Sequence, residues 1–171
     1  MNRKTRSITL SALFSALAVV SLALASIWPT GQLGFAAVAS LFVAAAVIEM
    51  GALYGIYVFV ASAALGMLIL PDKATPLLYM LFFGFYPIVK SLIERIRSKA
   101  LQWVLKLLVF NASLSVIWFL VGSLILDFGE TSPAILIVYL FGNVIFAIYD
   151  YGFTSVVWLY INRISGGKKR R

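Results

Sequence analysis

The chain has 171 residues, 63% of them hydrophobic and 12% charged, and contains neither Cys nor His. That apolar share exceeds what a soluble domain of this length uses to build one core, and it points to membrane-spanning helices. The net charge of +8 gathers at three helix ends with no basic face between them, which fits membrane topology and anionic lipid heads and argues against nucleic acid as a partner.

Without Cys there is no disulfide, thiolate nucleophile or Cys-bound metal, and without His there is no Ser-His-Asp triad, zinc-protease helix or ordinary proton shuttle. Gly166-Gly167-Lys168 lacks the strand and the remaining glycine of a nucleotide-binding loop. ATP hydrolysis by that route is therefore not expected. The expectation is a protein that is not an enzyme and carries no metal or cofactor.

Thirteen of the fourteen basic residues fall in three clusters. Arg3, Lys4 and Arg6 precede the first apolar stretch; Lys90, Arg95, Arg97, Lys99 and Lys106 surround an internal connection; Arg163 and Lys168–Arg171 end the chain. Basic residues resist translocation, so all three clusters are expected on the cytoplasmic side, with Asp72, Asp127 and Glu130 outside. Both termini are then inside and the number of spans is even. The predicted fold is all-α: one polytopic domain over residues 1–171, a six-helix transmembrane bundle in the cytoplasmic membrane of the cell.

The first span is predicted over 8–28 and ends at Pro29-Thr30-Gly31. About 20 residues at ~1.5 Å each cross the ~30 Å hydrocarbon layer. Ala23-Leu24-Ala25 resembles a signal-cleavage site, but the apolar run outlasts the usual signal core, so the span is expected to be retained. The stretch from Leu33 to Leu70 is too long for one helix, and its polar punctuation is Glu49-Met50-Gly51. A tight turn there gives spans at 34–48, which is short, and 51–70. Pro71–Pro76 reads as an external loop with prolines bracketing charges. Span four is predicted over 76–93, followed by a basic connection, Glu94–Ala100, as a short amphipathic surface helix. Span five covers 101–126, Asp127–Ser132 is external, and span six covers 133–161.

Polar residues inside hydrocarbon are costly and need a reason. Tyr139, Asn143, Phe146 and Asp150 form one stripe on span six. Tyr79, Phe82/Phe83, Tyr86 and Lys90 repeat nearly that spacing on span four, and Asn111, Ser115, Trp118 and Gly122 share a face of span five. Counting residues puts Tyr86, Asn111 and Asn143 near mid-depth, with Lys90, Lys106 and Asp150 in the inner third. Two readings stand. The stripes are helix-packing seams, with Lys90, Lys106 and Asp150 as an inner ion-pair cluster; or they line an outward-opening ligand cavity between spans one, four, five and six. In the second reading Tyr86, Asn111 and Asn143 form its floor, Tyr79, Phe83, Trp118 and Tyr139 its walls, and Trp28 belongs to its roof. Ala12-x-x-x-Ala16, beside Ser11-x-x-x-Ser15, gives span one a smooth face, and Gly51-x-x-x-Gly55 does so on span three. Such faces serve either a partner helix or internal packing.

The Lys4-Thr5-Arg6 start, the run Ser11–Leu17, and the segments Pro71-Asp72-Lys73, Phe82–Lys90, Lys106–Asn111 and Gly142-Asn143 together resemble the substrate-binding S components of energy-coupling-factor vitamin transporters, and small bacterial membrane proteins of that kind. The resemblance implies a subunit that captures a vitamin or related micronutrient from outside. It also implies docking of a transmembrane coupling subunit on Ala12 and Ala16, with partner ATPase subunits supplying the energy. No thiamin, riboflavin or biotin pocket signature is present, so the ligand stays open. The competing readings are a membrane scaffold or assembly protein whose smooth faces hold partner helices, and a stand-alone proton-coupled carrier using Asp150.

Overall fold

The computed structural model describes residues 3–125 and 134–165. The Asp127–Ser132 connection, Gly122 as a side-chain position, and the basic residues Lys168–Arg171 lie outside what is described. Apart from short turns, the described residues are helical, and no strand occurs among them. The long helices are α1 (Arg3–Ile27), α2 (Gln32–Met50), α3 (Ala52–Ile69), α6 (Lys99–Ile125) and α7 (Ala134–Tyr160). Between α3 and α6 run two shorter pieces, α4 (Ala74–Leu78) and α5 (Tyr86–Ile93), joined through a π-helical turn at Tyr79–Phe83. A second π-helical turn, Ile161–Ser165, follows α7. Six of these segments are long and apolar enough to cross a membrane.

The boundaries follow from local chemistry. Gly51 ends α2 at φ +101°, a conformation that residues with a Cβ rarely adopt, so one residue suffices for the turn into α3. Because the turn consumes so little chain, α2 keeps 19 residues. At ~1.5 Å per residue it reaches about 28 Å, which corrects the short second span predicted at 34–48. The fourth span also departs from the prediction, since it is not one regular helix. Pro87 has no N–H for the carbonyl a turn earlier, so the ladder breaks and restarts at Tyr86, with Pro87 in the first turn where no N–H is needed. Gly84 N donates instead to Tyr79 O, five residues back, at 2.7 Å. The connection after α5 is a turn rather than the surface helix expected. Buried Gln102 pins it by donating from Nε2 to Ile96 O at 2.7 Å, and Ser98 starts α6, its Oγ accepting from Leu101 N at 3.4 Å.

The chain divides into two compact units. One runs to Leu92 and takes in the chain from Val157 onward; the other is Ile93–Val156. In the first, α1, α2 and α3 pack on one another and α4 lies against all three. Its core is built largely from small residues: Ala18, Ala36, Ala39, Val43, Ala46 and Ala63, with Tyr79 as the large insert. Small side chains let helix backbones approach closely where lipid offers no hydrophobic drive between helices. In the second unit, α6 and α7 are joined through a seam of polar and aromatic side chains. Their other faces expose large apolar groups such as Phe119, Leu136 and Ile148. Patches of that kind suit acyl chains and would be anomalous in water.

Candidate functional site

The stripes of α6 and α7 meet each other in antiparallel register. Lys106 Nζ donates to Asp150 Oδ2 at 2.9 Å and to Glu94 Oε1, also at 2.9 Å. Next along the seam, the Phe110 and Phe146 rings stack at 4.6 Å. Asn111 Nδ2 then donates to Asn143 Oδ1 at 3.0 Å, and Asn143 Nδ2 donates to Asn111 Oδ1 at 3.1 Å. The Ser115 hydroxyl donates to Asn111 O at 2.8 Å and lies 2.6 Å from the Tyr139 hydroxyl, which can donate to it. Gly142 makes room in this seam: a Cβ there would stand 3.3 Å from Leu114 Cδ2 and 3.5 Å from Phe110 Cζ.

The two amides leave little for a ligand as they stand. Each uses its second N–H on its own helix, Asn111 to Leu107 O at 2.8 Å and Asn143 to Tyr139 O at 2.7 Å. Only the remaining carbonyl lone pairs are free of these bonds, so a ligand at mid-depth would have to open the reciprocal pair or accept a role as donor to it. Lys106 and Asp150 are both buried, while Glu94 is about 40% exposed at the side chain. Sequence reasoning missed Glu94 as the second carboxylate on Lys106. The signal was the spacing of a basic residue two turns into α6 behind an acidic residue at the end of α5.

The aromatic residues of the fourth span belong to the first unit. Tyr79 is fully buried, and its hydroxyl lies 2.8 Å from Ser62 Oγ on α3. Tyr86 is fully buried against Phe82, with ring centroids 5.1 Å apart, and Lys90 Nζ stands 6.0 Å from the Tyr86 ring centroid. Phe83 is half-buried beside Phe82. Trp28 is exposed above a shallow depression of about 320 Å³ that Thr30, Gly31 and Phe35 share. Trp28, Tyr79, Phe83 and Tyr86 are thus gathered in the first unit, and Asn111, Trp118, Tyr139 and Asn143 in the second.

The small-residue faces part company. Gly55 is buried, and a Cβ there would collide with the Val47 side chain and lie 3.5 Å from Ile88 Cγ1, so this glycine seats α3 on α2. Ala12 and Ala16 are exposed and line a groove of about 620 Å³. Its second wall is α3, with Tyr54, Tyr57, Ala61 and Leu65 at i, i+3, i+7 and i+11. Their spacing alone places all four on one face of α3. The Ser11 and Ser15 hydroxyls beside the groove donate back to Ser7 O and Ser11 O, both at 2.9 Å, which keeps the α1 wall effectively apolar.

Six apolar spans, backbones closed into helices and inward polar seams define a multi-pass α-helical membrane protein. No protein-family model, curated protein or solved structure matches the chain.

Proposed function

We propose that this protein is a small-molecule-binding subunit of the cell membrane, with both termini on the cytoplasmic side, that works by docking a transmembrane coupling subunit energised by partner ATPases. It binds a vitamin or related micronutrient from outside and is not itself an enzyme. The observation that carries the reading is the face of α1: Ala12 and Ala16 stand exposed along a groove that their methyl groups leave open. Two helices that approach over alanines gain close backbone contact, which is how membrane helices associate. The absence of a nucleotide loop from the sequence fits a subunit that borrows its energy. The N-in, C-in orientation rests on the partition of basic residues.

The test is co-purification with a tagged coupling subunit of the energy-coupling-factor type. Ala12→Leu and Ala16→Leu should each abolish the complex while the isolated protein stays helical and monodisperse, because both side chains point into open space. Complexes recovered at unchanged yield from both variants would remove the docking role. A second reading, a membrane scaffold without transport, is favoured by the reciprocal Asn111–Asn143 pair, which satisfies its own hydrogen bonds without a ligand. Recovery of ATPase subunits along with the protein separates the two, since a scaffold has no use for them.

A further inference from the structure

We propose that the groove between α1 and α3 holds one anionic phospholipid, its phosphate at Lys4, Tyr54 and Tyr57 and an acyl chain along Ala12, Ala16 and Ala61. The groove has a chemically distinct end. Helices α1, α2 and α3 follow one another through tight turns and pack together, so α1 and α3 run parallel and Lys4 and Tyr54 lie at the same end. Among the described residues no carboxylate pairs with Lys4, and neither tyrosine hydroxyl has a hydrogen-bond partner. An ammonium and two phenol groups at one mouth form a set of donors, and a phosphodiester is an acceptor with a charge to match. The Tyr54 and Tyr57 rings meet edge to face at 5.9 Å, and tyrosines of this kind sit at the level of lipid heads.

The length of the groove suits a lipid chain. Its walls run from Lys4 to Ala16 on α1 and from Tyr54 to Leu65 on α3. At ~1.5 Å per residue each wall is about 17–18 Å long, roughly half of the ~30 Å hydrocarbon layer. One leaflet is that deep, so the groove matches the length of an acyl chain that stays in one leaflet. Beyond the basic mouth the lining is isoleucine, alanine and leucine with serine hydroxyls folded back, a surface for methylenes. The inference does not rest on the docking reading: the lipid fills the groove of the uncomplexed protein, and a docking helix would have to displace it.

Native mass spectrometry of the full chain in mild detergent tests this, with phosphatidylglycerol and phosphatidylcholine of identical chains added in turn. Phosphatidylglycerol should stay bound as a single adduct and be favoured over phosphatidylcholine. Lys4→Gln should cut that preference about fivefold, the weight of one basic residue at a membrane surface. Ala61→Leu and, independently, Ala12→Leu should lower retention of both lipids, with helicity and elution volume unchanged. Equal retention of the two lipids by the unaltered protein, an undiminished preference in Lys4→Gln, or full retention in both groove-filling variants would each overturn the proposal. So would photocrosslinking from position 61 in membranes of cells that lack a coupling subunit, if it captured a protein helix and no lipid.

Discussion

Asp72 and Lys73 share one short connection and close two different helix ends. Lys73 Nζ donates to Met67 O and Leu70 O, both at 2.7 Å, and so satisfies carbonyls that α3 leaves open. That explains why a lone basic residue stands apart from the three clusters. Asp72 caps α4, accepting from Ala74 N at 3.0 Å, from Thr75 N at 3.2 Å and from the Thr75 hydroxyl. The Thr75 hydroxyl is the main reason its carboxyl titrates below the ordinary value of 3.8; partial burial opposes the shift, and the two backbone N–H groups add to it. A depressed folded value means that the carboxylate's contribution is fully present above about pH 3.8 and is lost as pH falls through the depressed value. Asp72→Ala should lower unfolding free energy by about 0.5–2 kcal/mol near neutral pH, as lost caps do. Thermal unfolding in detergent at pH 7 and pH 3 checks this. The difference between the native protein and the variant should shrink at the lower pH, and a constant gap would count against the cap.

At the scale of elements, glycines mark where helices must turn or touch. Among the described residues Gly51 is the one with positive φ, at +101°, and nothing lies within 4 Å of where its Cβ would be. Space is therefore not its constraint; conformation is. Gly84 is the opposite case, since a Cβ there would lie 2.6 Å from Phe59 Cε2 and 2.9 Å from Tyr79 Cε1. Gly34 is in ordinary helix with open space around it. Gly51→Ala should destabilise the protein by about 1–3 kcal/mol, the cost of holding a residue with a Cβ at φ +101° and ψ 168°, a backbone region used essentially by glycine. Gly34→Ala should stabilise it by about 0.5–1 kcal/mol by removing backbone freedom from the unfolded chain. The pair is read by unfolding midpoints in one detergent. Equal shifts of the same sign would show that the α2–α3 turn does not depend on backbone conformation.

For the whole molecule the question is which side each connection faces. The native chain has no Cys, so single cysteines report accessibility without background. Arg97→Cys should resist a membrane-impermeant maleimide added outside intact cells, and Glu130→Cys should react. Labelling at position 97 from outside would overturn the orientation and with it the assignment of α1's basic end to the cytoplasmic face.

Much of the architecture was legible because it depends on local quantities. Apolar run length, the turn at Glu49-Met50-Gly51 and the helical phase of Asn143 and Asp150 are set within a few residues of sequence. The loop expected over Pro71–Pro76 is shorter than that, because the Asp72 cap lets α4 begin at Ala74 and Pro76 lies inside the helix. The π-helical break near Gly84 was signalled locally by Pro87, but its geometry was not, because Phe59 on α3 shares that space. What the polar stripes face was decided only by tertiary structure. A stripe gives the phase of one helix and says nothing of its neighbour, so Asn111 and Asn143 read equally well as a ligand floor or as partners, and the packing of α6 and α7 brings them within 3.0 Å. The same holds for the small-residue motifs. Spacing cannot tell Gly55 from Ala12; only the neighbour that arrives does, and Val47 covers the glycine while the alanine face stays open.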